Sequence, residues 1–466
     1  MENINNTDNN RVKKDKLIFA AVFVIGLVFY LAWYILDGII LTPDAETYIN
    51  MSGIREGGYC TFLWALRTLF GEWVYLHIAV IIQCVVASIA AVALAGGLKR
   101  RFGLSWLLTL AILAVQYGLT LLNRFVAQRH YSYFNSIETE GLTYSLWIFF
   151  VLSVIGILYD RDKKSIVSAV IWAFALTSIR KQMLLAFVLL FPVLVYIRWG
   201  SKKRAKAVLT ALLTVIMGLF LVRLSDCTYN FAVRGVFAPH TDDSSFILGT
   251  QIYTADKAMA ERLENPVYKE LFLEIMERAE EKEYNISFAE SGWSSLENHY
   301  SESYDRIKFD IINAVIREYQ ELNGIPEDLQ NVWYQEAVSG IMKELLIPCL
   351  PNMFKLFCAN VAHGMITTIL KVHPVLNWAA LALYILYCAL ILALLILKVY
   401  EKAKPSALLF AAFVLLAIVG NVFITSVTIY CQMRYMLYNT GLFYQAGLIM
   451  AAELADIKNR RKIDEV

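Results

Sequence analysis

The sequence predicts an all-α, polytopic membrane protein with about ten transmembrane helices and a small helical extracytoplasmic domain. Of its 466 residues, 58% are hydrophobic and only 18% are charged, and the mean hydropathy is +0.53. Soluble domains carry fewer apolar and more charged residues than this. The charged residues are grouped in blocks between long apolar stretches, which indicates that the stretches lie in the membrane.

Ten apolar stretches approach or exceed the roughly 20 residues that a helix needs to cross the bilayer core. They are residues 17–40, 73–98, 103–121, 141–159, 165–179, 182–198, 206–224, 375–397, 405–428 and 437–455. The fifth and sixth are short and almost contiguous, which predicts a tight helical hairpin. The first is too long for a signal peptide and lacks a small-residue cleavage site, so we interpret it as a span.

Lysines and arginines predict which side of the membrane each segment faces. Six short segments on one side hold 22 of them, whereas the four short segments on the other side hold 7. Cytoplasmic loops carry the excess of positive charge. Both termini are therefore predicted to be cytoplasmic and the loop 226–373 to lie outside, with a bacterial cytoplasmic membrane as the default location.

These assignments divide the chain into three parts. Residues 1–224 form an N-terminal transmembrane module whose first outer loop spans 41–72. Residues 225–373 form the extracytoplasmic loop domain, and residues 374–466 form the C-terminal transmembrane module. The loop domain is acidic.

The long loop is predicted to be mostly helical. Apolar residues recur at helical spacing in 256–283 and in 304–323. The stretch 341–372 is apolar but contains two prolines, at 348 and 351, which favours an interfacial or re-entrant helix over a span. Cys227 and Cys349 stand near the two ends of the loop, and an oxidising compartment would allow them to form a disulfide.

The first outer loop carries two carboxylates just beyond the first span. Pro43 favours the first turn of a helix, which places Asp44 and Glu46 near its positive end. Asp44 and Tyr48 are four residues apart and share one helix face. A carboxylate at this place can cap a helix, or it can serve as a general base for a lipid-borne substrate. Charge position alone leaves both roles open.

The run from Pro43 to Ala91 resembles the opening of the GT-C superfamily of membrane glycosyltransferases, among them protein mannosyltransferases and aminoarabinose transferases. These enzymes use polyprenyl-phosphate sugars. The superfamily pattern is Pro-Asp-small-x-x-Tyr, then Gly-Tyr-Pro, then a helix with a basic end. This chain matches at Pro43, Asp44, Ala45, Tyr48, Gly58, Tyr59 and Lys99-Arg100-Arg101, and departs at Cys60, which replaces proline. The resemblance implies a GT-C-like fold and makes Asp44 the catalytic base.

Three further places resemble the superfamily. Thr139-Glu140-Gly141-Leu142 looks like its Thr-Glu-small-Leu motif, which makes Glu140 the second acidic site, with Glu138 beside it. Leu176 to Lys181 looks like Leu-x-x-x-Arg-Pro, with Lys181 in place of proline after Arg180. Arg434-Tyr435 looks like Arg-Tyr-x-x-Pro, with Tyr438 where proline is common.

The chemistry of the reaction explains the basic residues. A phosphate leaving group gains negative charge as the glycosidic bond breaks, and arginine binds phosphate oxygens through a rigid fork of donors. Arg434, Arg180 and Lys181 are therefore predicted to bind the donor phosphate. The alternative for these residues is snorkelling to lipid headgroups. The alternative for Glu140 is interaction with the dipole of the helix that it opens.

The leading hypothesis is an inverting glycosyltransferase that moves sugar from a polyprenyl-phosphate donor to a lipid, glycan or protein acceptor. Asp44 acts as base, Glu140 positions the acceptor or a metal, and a divalent cation stays open as cofactor. Membrane lipids are expected partners and nucleic acid is not. Two alternatives are a transporter or flippase for a lipid-linked glycan, and a non-catalytic membrane partner. Supporting roles are assigned to Glu46, Tyr48, Glu138 and Tyr435.

Overall fold

The computed structural model describes residues 2–126, 131–199, 204–240, 243–369, 377–398 and 406–464. This part of the chain is helical, with one isolated parallel bridge between Ile40 and Ser136. The helices are α1 Glu2–Asp37, α2 Ala45–Ile49, α3 Gly57–Phe70, α4 Tyr75–Phe102, α5 Trp106–Phe125, α6 Glu140–Asp160, α7 Lys163–Ile179, α8 Leu185–Arg198, α9 Arg204–Arg234, α10 Asp243–Thr254, α11 Pro266–Glu281, α12 Trp293–Arg306, α13 Asn313–Leu322, α14 Glu327–Ile369, α15 Asn377–Lys398, α16 Leu408–Thr428 and α17 Met433–Asp464.

The chain forms two compact units. The first unit comprises Met1–His240, Val372–Gly420 and Leu437–Val466. The second unit comprises Thr241–Lys371 and Asn421–Met436. Each unit is described by itself below.

The predicted fold class, a polytopic all-α membrane protein, is confirmed. In the described part of the chain nine helical segments are long and apolar enough to cross a membrane. Eight of them coincide with predicted spans, and the ninth, Leu329–Ile369, lies in the predicted loop domain. The predicted spans 165–179 and 437–455 are helical but are not among the nine.

These two differences have separate physical causes. Helix α7 has 17 residues and is slightly shorter than a full span. Helix α17 is long but carries polar residues inside the first unit. Asn439 and Gln445 are fully buried there, and their amides donate to the carbonyls of Ala417 and Ile112. Hydropathy alone therefore undervalues α17, because its polar groups are satisfied by protein.

Helix α14 corrects the expectation of a helix interrupted by its prolines. It continues for 43 residues through Pro348 and Pro351, a length of about 65 Å. Each proline removes one backbone donor, and a long helix can bridge such a gap when its flanking turns are held by packing. Its placement as an interfacial or re-entrant segment stays a prediction.

The second unit has its own core of buried residues from α10, α11, α12, α13 and α14. Phe272, Tyr300, Ile311 and Val338 are fully buried in it. A π-helical turn at Ile307–Ile312 links α12 to α13. The predicted helical character of 256–283 and 304–323 agrees with these elements.

Two glycines permit close helix approaches in the first unit. A Cβ on Gly58 would lie 2.4 Å from the carbonyl oxygen of Ser178, so the start of α3 packs directly against the end of α7. A Cβ on Gly141 would lie 2.5 Å from the side chain of Gln83, so α6 packs directly on α4. These contacts bring the ends of four helices together around the predicted site.

Candidate functional site

Two loops of the first unit are joined by backbone hydrogen bonds. We call residues 38–56, which overlap the start of the predicted outer loop 41–72, the first loop, and residues 131–139 the second loop. The Ile40 amide donates to the Asn135 carbonyl and the Ile137 amide donates to the Ile40 carbonyl, both at 2.9 Å. The Asn135 side chain donates to the carbonyl of Gly38 at 3.0 Å. The carboxylates that follow these positions in each loop are thereby held on one scaffold.

A buried polar network connects the second loop to side chains of α3 and α4. The Tyr59 hydroxyl donates to Oε1 of Gln83 at 2.9 Å, and Nε2 of Gln83 donates to the carbonyls of Phe134 and Ser136. Burial raises the pKa of Tyr59 well above its ordinary value, so its hydroxyl stays protonated and donates. Ser136 in turn donates to Glu138 at 2.9 Å. Glu138, a predicted supporting residue, is a buried part of this network.

Asp44 stands at the N-cap position of α2, but its side chain makes no capping hydrogen bond. Its carboxylate instead accepts from Nη2 of Arg55 at 2.6 Å. The Asp44 side chain is 40% exposed, whereas that of Arg55 is 20% exposed. The carboxylate is thus reachable from outside the protein, as a general base requires.

Arg55 contacts several side chains of the first loop. Its Nε donates to the Thr47 hydroxyl at 2.7 Å, and its guanidinium lies 4.7 Å from the ring centre of Tyr48. Burial acts to lower the pKa of Arg55, but its interactions with Tyr48 and with the Asp44 carboxylate, which also accepts its hydrogen bond, raise it overall. Arg55 is therefore a permanent positive charge, which makes it suited to anion binding.

The other two predicted residues of the first loop differ from each other. Tyr48 is buried and packs edge-on against Tyr59, with ring centres 5.2 Å apart. Burial raises the pKa of Tyr48. Glu46 is exposed on the opposite side of α2. Tyr48 therefore belongs to the cluster, and Glu46 is a surface residue beside it.

The second acidic residue forms a buried ion pair. Nη1 of Arg180 lies 2.7 Å from Oε2 of Glu140 and also donates to the Thr139 hydroxyl at 2.7 Å. The side chains of Arg180 and Glu140 are 15% and 2% exposed. Arg180 has extended backbone geometry between α7 and the short 3₁₀ turn Lys181–Leu184, which directs its side chain toward the start of α6.

Lys181 takes part through its backbone. Its amide donates to Oε1 of Glu56 at 3.0 Å, which ties the turn after α7 to the residue that precedes α3. The residue itself is exposed. The two predicted phosphate ligands of this turn therefore differ, since Arg180 contacts a carboxylate and Lys181 faces outward.

The start of α17 is divided between the two units. Tyr438, in the first unit, shares a hydrogen bond with Thr143 at 2.8 Å and stacks on Tyr144 with ring centres 4.2 Å apart. Arg434 and Tyr435 lie in the second unit, where Nη2 of Arg434 donates to the Tyr435 hydroxyl at 2.5 Å. The predicted phosphate role of Arg434 and the supporting role of Tyr435 stay predictions.

The first unit thus brings together Asp44, Tyr48, Glu138, Glu140, Arg180 and Lys181. Sequence reasoning missed Arg55, Glu56 and Gln83 as members of this cluster. A signal for Arg55 was present, because it is one of only two basic residues in 41–72, the other being Arg67. Glu56 and Gln83 contribute through hydrogen bonds, and no sequence motif predicts those hydrogen bonds.

A divalent cation finds no preformed ligand set in the described residues. No three His, Cys, Asp or Glu side chains converge there as metal ligands. Asp44 and Glu140, the acids nearest to such a role, are each paired with an arginine. We therefore derive no step through a metal.

Comparison with known proteins assigns no family to the chain. No protein-family model and no curated protein matches it. Among solved structures it is similar to a crystal structure of ArnT from Cupriavidus metallidurans bound to undecaprenyl phosphate, with 13% sequence identity and a TM-score of 0.29. The similarity covers 95% of this chain and 79% of that chain. The function of this chain is accordingly inferred from its own residues.

Proposed function

We propose that the chain is a membrane glycosyltransferase that transfers a sugar from a polyprenyl-phosphate donor to an acceptor hydroxyl at the extracytoplasmic face. The observation that carries the proposal is a pair of carboxylate–guanidinium contacts, Asp44–Arg55 and Glu140–Arg180, on adjoining loops of the first unit. A transferase of this kind needs a base for the acceptor and cations for the leaving phosphate, and one carboxylate and two guanidinium groups at this place can supply them.

The difference in exposure assigns the two carboxylates different roles. Asp44 is the reachable one, so it is the base. Glu140 is almost fully buried, so it cannot meet an acceptor in this arrangement and instead positions Arg180. Oriented in this way, Arg180 supplies a fixed positive charge beside the donor phosphate.

The step balances as a single displacement. Asp44 removes the proton from the acceptor hydroxyl, and the acceptor oxygen forms a bond to the anomeric carbon. The bond from that carbon to the phosphate oxygen breaks, and its electron pair leaves with the polyprenyl phosphate. The configuration at the anomeric carbon inverts, because one displacement occurs.

The resting ion pair gives Arg55 a part in this sequence. A carboxylate bound to a guanidinium is a weak base, because the charged form is already stabilised. A donor phosphate competes with Asp44 for Arg55, since phosphate also binds arginine through paired hydrogen bonds. When the donor phosphate binds Arg55, the Asp44 carboxylate is released from the ion pair and becomes a stronger base for the acceptor hydroxyl.

The test is sugar release from a panel of polyprenyl-phosphate sugars by purified protein, with Asp44→Asn compared with Glu46→Gln. Glu46 lies two residues away and is exposed, so its variant is a matched control for the change in charge. We expect Asp44→Asn to abolish release and Glu46→Gln to retain it. Equal release by the native protein and Asp44→Asn would refute the base, and no release by the native protein with any donor would favour the non-catalytic and transporter alternatives.

A further inference from the structure

The second unit contains a groove between α12 and α14 that the transfer chemistry does not use. Its volume is about 710 Å³, which is within the range of small-molecule sites. Trp293, 44% exposed, lies in its wall, and Glu290 and Lys355 contribute charged groups. Leu296 and Ala359 form part of its buried lining.

Buried polar groups begin one helical turn beyond the groove on both helices. Glu297 follows Trp293 by four residues and His363 follows Ala359 by four, so each lies on the face that its groove residue occupies. Nδ1 of His363 and Oε2 of Glu297 are 2.5 Å apart, and the side chains are 9% and 1% exposed. Asn360, one turn before His363 on α14, is 1% exposed.

Some polar atoms of these buried groups have no hydrogen-bond partner in the part of the chain that the structure describes. Within the described residues, Oε2 of Glu297 is occupied by His363, whereas Oε1 of Glu297 and both polar atoms of the Asn360 amide have no hydrogen-bond partner. Leaving a buried polar group without a partner costs about 1–3 kcal/mol. A buried amide and a buried carboxylate oxygen without partners therefore indicate a ligand that brings both hydrogen-bond donors and acceptors.

We propose that this groove binds the carbohydrate part of a substrate, with a pyranose ring against Trp293 and hydroxyl groups directed toward Glu297 and Asn360. A pyranose has an apolar face of C–H groups and a rim of hydroxyls that both donate and accept. That combination matches an aromatic wall next to a carboxylate and an amide. Naming the ligand as the acceptor rests on the proposed function, whereas the binding itself does not.

The chain contains a reporter for this site. Cys358 lines the groove and is exposed, and Cys388 is the other exposed cysteine; the remaining five are buried. In a Cys388→Ser background, a water-soluble maleimide should label Cys358. The experiment measures that labelling rate in lipid nanodiscs with methyl glycosides of glucose, mannose, galactose and N-acetylglucosamine.

We expect at least one glycoside to slow the labelling of Cys358 saturably, by about ten-fold or more for two or three good hydrogen bonds. Trp293→Ala, at a partly exposed position, and Asn360→Ala should each remove the protection. In Cys358→Ser protein any labelling that remains should be unaffected by sugar. Asp44→Asn should keep the protection, which separates this site from the proposed transfer chemistry.

Absence of protection by every glycoside would overturn the proposal, as would protection that survives both Trp293→Ala and Asn360→Ala. Equal protection by a simple alkyl phosphocholine would also overturn it, because the groove would then accept acyl chains rather than sugar.

Discussion

Arg180 contacts Glu140 across 2.7 Å, joining the turn after α7 to the first residue of α6 in an almost fully buried ion pair. Removing one partner of such a pair leaves an uncompensated charge, whereas removing both does not. Comparing single and double variants therefore measures how much the ion pair contributes to stability, independently of any role of Arg180 in binding phosphate.

Glu140→Gln should destabilise the protein strongly, by about 3–5 kcal/mol, because Arg180 would be left buried without its counter-charge. The double variant Glu140→Gln, Arg180→Gln should be less destabilised than the sum of the two single variants. Denaturant unfolding in detergent measures both effects. Strict additivity would show that the two residues do not interact.

Arg55→Ala should weaken donor binding by ten-fold or more, since a hydrogen bond to a charged group contributes about 1.5–3 kcal/mol. The same change removes the partner of Asp44, so a protein in which Arg55 only restrains the base would become faster instead. The comparison of KM for the donor with kcat distinguishes these outcomes. Arg67→Ala, at the other basic residue of 41–72, is the matched control.

Gly58→Ala should lower the melting temperature, because its Cβ would lie 2.4 Å from the backbone carbonyl of Ser178 and the helices would have to separate. Gly118→Ala is the control: nothing lies within 4 Å of a Cβ there, and alanine favours a helix interior by about 1 kcal/mol. A thermal shift assay should place the two variants on opposite sides of the native protein. Equal melting temperatures would contradict the close approach of α3 and α7.

The thiols should fall into two classes at pH 8. Burial raises the pKa of Cys60 to about 11, so its thiol stays protonated and unreactive in the folded protein. Of the two exposed cysteines, Cys358 should react first, because Cys388 lies in the middle of the candidate span α15. Because all seven cysteines are free thiols, denaturation without reductant should expose seven reactive groups. Five would instead support the predicted bridge between Cys227 and Cys349.

Apolar length predicted most of the fold, since eight of the candidate spans lie where hydropathy placed them. It did not show that α14 runs through Pro348 and Pro351 as one helix of 43 residues. The acids of the site and Arg180 were visible as motifs. Their pairing was not, because the contact between Glu140 and Arg180 depends on how closely α3, α4, α6 and α7 approach, which the two glycine contacts determine.

The junction of the first and second loops is made by main-chain groups, so the side chains at Ile40 and Ile137 can change without removing it, provided that neither is proline and that the fully buried position 137 stays apolar. The sequence of these two loops can therefore diverge while the hydrogen bonds between them are kept. Distant relatives should be recognisable by charges that change together, Asp44 with Arg55 and Glu140 with Arg180, rather than by a run of shared letters.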